Sequence, residues 1–353
     1  MKKSELLYVG GYEGEDSRCL HVYDYVNKKK LESYEIKNAS YLCFSPDRQY
    51  LYAIMEVGSY KNRAGGGIAA YAVENDGKLR FINDSFTEGE SPCHLSVSAD
   101  GKALFAANYG GGSTIMFELL ATGGIGEKKF FMNHRDFGHA SHAVANRQEA
   151  PHAHYIQPVS INGQLTVWTC DLGLDAVLVF DENGEETARF QAPAGFGPRH
   201  MAFHPNLPLA YLVGEFACAV TTLEFSYDSS LHIKASCEVP VLKSDAKCTC
   251  AAIRLSPCGK FLLTSNRIAG EEGSISILGL DTSGKVEALE NIVPSGGSCP
   301  RDFIFSQNGD KVFVANQDSD NVSSFDWSKD GTLSYSGKTL DAQKPTCVLT
   351  ISR

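Results

Sequence analysis

Two histidines, three arginines and a glutamate stand at repeating places in this chain, and together they could move a proton beside a bound anion. Pro151-His152-Ala153-His154 sets two imidazoles two residues apart, so that an extended strand presents both on one face. Arg199 and Arg301 each follow a proline, and Glu215 and Gln317 lie 17 residues beyond Pro198 and Pro300. Arg267 lies at the same step from Cys250, where proline is replaced. A neutral imidazole can take a proton from water. A guanidinium can hold a phosphate or a developing oxyanion with paired donors, and a carboxylate beside two arginines stays ionised. His152, His154, Arg199, Arg267, Arg301 and Glu215 together therefore suit an anionic substrate and proton transfer. His152 is favoured as base because it follows a proline, as Arg199 and Arg301 do. Asn108, Arg147, Asp171, His200, Arg301 and Gln317 are candidates for substrate contact. Two histidines at this spacing could also ligate zinc, but the sequence shows no third ligand and the arginines oppose a cation. No metal and no cofactor are expected.

These residues can meet only if something brings positions some fifty residues apart to one end of a fold. A turn recurs ahead of a strand-forming run: Ser45-Pro46-Asp47, Ser98-Ala99-Asp100-Gly101-Lys102, Ser160-Ile161-Asn162-Gly163, His204-Pro205-Asn206, Ser256-Pro257-Cys258-Gly259-Lys260 and Ser306-Gln307-Asn308-Gly309. The starts are separated by 53, 62, 44, 52 and 50 residues. Runs such as Tyr50 to Ala53, Ala103 to Ala106, Leu209 to Leu212 and Val312 to Ala315 follow the turns, then a third strand, an Asp/Asn-Gly turn and a fourth. Four strands per repeat at this period predict an all-β, seven-bladed β-propeller of antiparallel blades. Six blades are plain. Leu6 to Gly10 and Leu20 to Asp24 supply part of the seventh, and Thr346 to Ile351 supply its missing strand, closing the ring from both termini. One domain over residues 1–353 is expected, with the rim residues at one mouth. Residues 121–150 delay the third full repeat and carry His134, His139, His142 and Arg147, which predicts an insertion that is either functional or disordered.

Composition excludes several functions. The net charge is −10 with no basic run, which argues against nucleic acid or an anionic membrane as partner. No apolar run reaches membrane-spanning length, and the stretch from Met1 to Gly11 lacks the features of a signal peptide. Eleven cysteines, an odd number scattered through the strands, predict reduced thiols and a cytoplasmic protein. Cys248-Thr249-Cys250 finds no second close pair in sequence, so packed thiols are expected there. Oligomeric state is not legible.

At the rim residues the chain resembles the lactonase family of seven-bladed propellers, which includes bacterial 6-phosphogluconolactonases and fungal 3-carboxy-cis,cis-muconate lactonizing enzymes. The matching segments are Arg147 to His154, Asp171 to Asp175, Gly197 to His200, Gly214-Glu215, Ser265 to Arg267, Pro300 to Phe303 and Ala315 to Gln317, in order. The resemblance implies an active-site group of His152 or His154, Arg199, Arg267 and Glu215. It also implies hydrolysis of a small anionic lactone, 6-phospho-D-gluconolactone. Cys248 to Ala252 departs from the family's proline-led strand start, and so does the His-rich insertion. A lactone-closing cycloisomerase and a protein-binding propeller are the alternatives. The second predicts exposed aromatic and Arg hot spots over a broad face in place of a polar constellation at the mouth, and the sequence shows no Trp-Asp or Gly-His repeat signature.

Overall fold

The computed structural model describes residues 5–13, 17–243 and 248–352. Met1 to Ser4 of the N-terminal stretch lie outside the described residues. In four repeats a serine locks the turn between the first and second strands. The Ser98 hydroxyl donates to Asp100 and accepts from the amide of Ala103, while Gly101 takes φ +73° to close the turn. The same hydroxyl-to-amide bond, five residues ahead, recurs at Ser45, Ser256 and Ser306. Short side chains that bond their own backbone favour turns over continued strand, so the punctuation of the sequence becomes the punctuation of the fold.

The result is seven four-stranded sheets and one two-stranded ribbon. Six sheets take their strands in chain order, as the repeat requires. In the seventh, Lys29–Tyr34, Leu20–Asp24 and Glu5–Gly11 are joined by the C-terminal strand Pro345–Ser352. Leu6 pairs with Ile351, Val9 with Val348 and Gly10 with Cys347, antiparallel. The expected fold class, with a blade closed from both termini, is the one observed.

Two compact units divide the chain. One comprises Met1–Glu35, Arg199–Phe225 and Lys234–Arg353, and the other Ile36–Pro198 and Ser226–Ile233. In the first, Leu7, Val9, Tyr23, Phe313, Ala315 and Val348 share one apolar cluster, so the terminal strand is part of that core. In the second, Phe105, Ile156, Val167, Leu178 and Phe180 do the same. Inner strands such as Ala176–Phe180 are buried throughout, whereas outer strands such as Leu231–Pro240 alternate. Among the described residues no helix is long and apolar enough to cross a membrane.

The C-terminal strand makes a prediction. Deleting its last eight residues removes Val348 and Ile351 from the core and bares the edge of Glu5–Gly11. Burial of those two side chains alone contributes roughly 3–6 kcal/mol, so thermal unfolding of the truncated protein should fall well below wild type. An unchanged melting temperature would mean that the pairing contributes little.

Two expectations need correction. Residues 121–150 are not one insertion, because Ile125–Asn133 forms a fourth strand paired with Ser113–Leu119; its Lys-Lys run faces outward and hides the strand pattern. The irregular part runs from 134 to 152. The cysteines are not all reduced: Cys218 and Cys248 are joined by a disulfide, and the other nine are free. These two lie 30 residues apart and are brought together by packing of neighbouring hairpins, which residue spacing does not reveal.

Candidate active site

The candidates fall into two constellations, one in each unit. In the first unit the inner end of one hairpin is a tight turn, with Gly214 paired to Ala219. Glu215 opens that turn and is 1% exposed. Arg199, 2% exposed, donates from Nε to Glu215 Oε2 at 2.9 Å and from Nη1 to the Ala251 carbonyl at 2.7 Å. Arg267 Nη2 lies 3.2 Å from the same carboxylate oxygen and donates to the Cys250 carbonyl at 2.9 Å. Glu215 thus holds two guanidinium groups on one oxygen. The Arg199 side chain is 2% exposed and that of Arg267 15%, so Arg267 is the one with surface to offer a ligand. Arg301 Nη1 donates to Gln317 Oε1 at 3.3 Å, and its guanidinium stands over the Tyr12 ring at 5.3 Å. His200 is 4% exposed, beside Arg199 in the chain, where strand alternation turns neighbours to opposite faces.

In the second unit the irregular segment is pinned by Gln148. Its Oε1 accepts from the Val144 amide and its Nε2 donates to the Leu172 carbonyl. That anchor delivers Arg147, Glu149 and His152. His152 stacks on the Tyr109 ring at 4.4 Å and 13°. Its Nδ1 lies 2.9 Å from the Tyr109 carbonyl and its Nε2 3.2 Å from Glu149 Oε1. A carbonyl only accepts, so Nδ1 carries a proton. Protonated at Nε2, the ring donates to Glu149. The Glu149 carboxyl is held below its usual range, chiefly by its own backbone amide and then by His152 and Arg147. Arg147 Nε reaches Tyr109 Oη at 3.4 Å. His154 meets the Tyr109 ring edge-on at 5.5 Å.

Several expectations change here. Asp171 does not contact substrate: it is fully buried, Oδ1 accepts from the amides of His152 and Leu174, and Oδ2 lies 2.7 Å from His134 Nδ1. It positions the backbone of His152. Asn108 is fully buried and donates to Ser113 and to the Thr87 carbonyl. It clamps adjacent strands, as Asn316 does through Ser323 and the Ser295 carbonyl. His200 is as deeply buried as His154. His94 accepts at Nδ1 from the Ile156 amide and lies between the Tyr41 and Tyr155 rings.

The registers also revise the comparison of histidines. Pro92 pairs with Asn108, Pro300 with Asn316 and Ala153 with Asp171, and each is followed by a register shift. His154, not His152, therefore shares the bulge position of Arg301. The proline before His152 stands two residues early, so the strand opens at Ala153, and the two histidines do not lie on one regular face. What favours His152 is its fixed tautomer and its carboxylate. Tyr109 and Glu149 were missed as functional residues; the 17-residue step from Pro92 ends on Tyr109, which was the available signal.

Glu149→Gln should lower turnover modestly, because an exposed carboxylate stabilises an imidazolium by at most about 1 kcal/mol, roughly five-fold in rate. A larger loss would show that Glu149 meets the reacting atoms itself.

Comparison with known proteins agrees with this architecture. The family described as lactonase, 7-bladed beta-propeller, matches residues 6–350. A Bacillus subtilis protein named 6-phosphogluconolactonase is 27% identical over 354 residues, covering 97% of each chain. A crystal structure of a candidate 6-phosphogluconolactonase from Bacteroides fragilis is 25% identical with TM-score 0.85, covering 99% of this chain and 98% of that one. A Pseudomonas aeruginosa periplasmic gluconolactonase is 25% identical with TM-score 0.86, covering 99% of both. With the seven sheets in place and nearly the whole length matched, the chain belongs to the lactonase family of seven-bladed β-propellers.

Proposed function

We propose that the protein hydrolyses 6-phospho-D-gluconolactone to 6-phosphogluconate, a step of the pentose phosphate pathway, in the cytoplasm. The observation that carries the reading is the pair of guanidinium groups held on buried Glu215. Preorganised cations in a dry setting favour an oxyanion because they need not reorient as charge develops. The Bacillus relative's name supplies the substrate.

In this reading His152 Nε2 takes a proton from water, and the water oxygen attacks the lactone carbonyl carbon. Arg267 holds the carbonyl oxygen as it becomes negative, while Arg199 and Glu215 fix Arg267. The tetrahedral intermediate collapses with cleavage of the carbon–oxygen bond of the ring. The imidazolium returns the proton to the departing ring oxygen, giving the hydroxy acid. Arg301, braced by Gln317, binds the phosphate with paired donors, and His154 and Arg147 contact the substrate. The guanidinium groups supply the positive charge the oxyanion needs. Hydrolysis should therefore be unchanged after treatment with EDTA; loss on chelation and recovery with zinc would overturn this assignment.

Turnover of 6-phospho-D-gluconolactone, corrected for spontaneous hydrolysis, tests the proposal. A muconate substrate assayed in parallel separates lactone opening from lactone closing.

A further inference from the structure

Three of the eleven cysteines collect where the sequence offers only Cys248-Thr249-Cys250. Cys218 closes the turn that Glu215 opens and takes φ +49° there, which turns its side chain back toward the neighbouring hairpin. The strand Cys248–Leu255 packs beside it, tied by a bond from the Cys250 amide to the Glu215 carbonyl at 3.0 Å. The sulfur atoms of Cys218, Cys248 and Cys250 all lie within 4.8 Å of one another. Cys250 is fully buried and the other two are half-buried. All three belong to one compact unit.

We propose that Cys218, Cys248 and Cys250 form a three-thiolate site for a borderline or soft divalent cation of the zinc class, filled when the Cys218–Cys248 disulfide is reduced. Thiolates select such ions over magnesium or calcium. A zinc–sulfur bond of about 2.3 Å places ligand sulfurs roughly 3.7–4.0 Å apart in tetrahedral or trigonal geometry, inside the observed envelope once the sulfur–sulfur bond is broken. The turn and the strand start are separate segments, so the ion would join two hairpins, as structural thiolate sites do. Three protein ligands leave a fourth position for water.

The neighbouring arginines favour this site. A divalent ion on three thiolates carries one net negative charge, and Arg199, Arg267 and Glu215 together carry one net positive charge. The same three groups act on Cys250, whose thiol is pushed up to about 12, chiefly by burial. A coordinating metal ion deprotonates such a thiol outright. Cys250 without a metal is therefore an inert buried thiol.

The chemistry has two steps. A dithiol reductant gives two electrons and two protons to the Cys218–Cys248 bond, yielding two thiols and becoming a disulfide itself. The cation then binds three thiols and releases three protons to solvent, so affinity rises with pH. Oxidation removes two of the three ligands. Metal occupancy is thereby tied to the redox state of one cysteine pair.

Cadmium is the probe, because thiolate-to-cadmium charge transfer absorbs in the ultraviolet. Full-length protein is reduced with a phosphine, desalted without oxygen and titrated with cadmium ion. The expected result is one cadmium per chain with the charge-transfer band, displaced by zinc. The oxidised protein should show neither. Cys218→Ser and Cys250→Ser should each lower affinity at least ten-fold, while Cys43→Ser should not. Should Cys250→Ser fold poorly, Cys218→Ser, at a half-buried position, carries the test alone. Absence of the band in fully reduced wild type overturns the proposal, and so does a site whose affinity survives Cys218→Ser. The readout is independent of lactone hydrolysis.

Discussion

Replacing Glu215 by alanine is expected to destabilise the protein by about 3–5 kcal/mol. The carboxylate is 1% exposed and carries Arg199 at 2.9 Å and Arg267 at 3.2 Å. Removing one member of a buried ion pair leaves the other as an uncompensated charge, and that residual charge sets the cost. Arg199 retains its bond to the Ala251 carbonyl, which orients it but does not neutralise it. Glu215→Gln keeps an acceptor of the same shape and should cost less than alanine. Denaturant unfolding of both variants checks the order. Unchanged stability in Glu215→Ala would show that water reaches the two guanidinium groups.

Arg267→Ala should behave in the opposite way, losing turnover while keeping the fold. Its side chain is 15% exposed, and its partners other than Glu215 are the backbone carbonyls of Thr249 and Cys250. Removing one preorganised oxyanion donor typically costs a hundred- to a thousand-fold in turnover. Arg267→Lys should recover little, because a single ammonium cannot hold Glu215 and an oxyanion with the planar fork that guanidinium supplies. Arg199→Ala should combine lost turnover with lost stability, since Arg199 is almost wholly buried against Glu215 and the Ala251 carbonyl. The contrast between the two arginines separates a ligand-facing group from its support. Equal losses of stability in both variants would contradict that division.

The architecture was legible because each repeat announces itself locally. A serine five residues before a strand amide and an Asp-Gly or Asn-Gly turn are short-range features, and they fix where each strand begins. The missing strand at Thr346 to Ile351 could be matched to Leu6 to Gly10 because one run lacked a partner and the other was surplus. The site was legible only as a set of strand ends. Register shifts after Pro92, Ala153 and Pro300 displace side chains by one position. A spacing count cannot see such a bulge, so His152 was matched to Arg301 in place of His154. Asn108 and Asp171 have the residue types of ligand contacts, and only burial shows that one clamps strands and the other holds a backbone. Glu149 was hidden by its place in the irregular segment, and Cys218 by the 30 residues that separate it from Cys248.

In the proposed reaction the paired arginines and the His152 imidazole serve lactone hydrolysis. The most direct measurement is the rate of 6-phospho-D-gluconolactone hydrolysis above the spontaneous rate, for wild type, His152→Ala and Arg267→Ala, each verified as folded. Wild type should catalyse the reaction, and each variant should lose roughly a hundred-fold or more. Wild-type rates in both variants, or no hydrolysis above background by the wild-type protein, would contradict it.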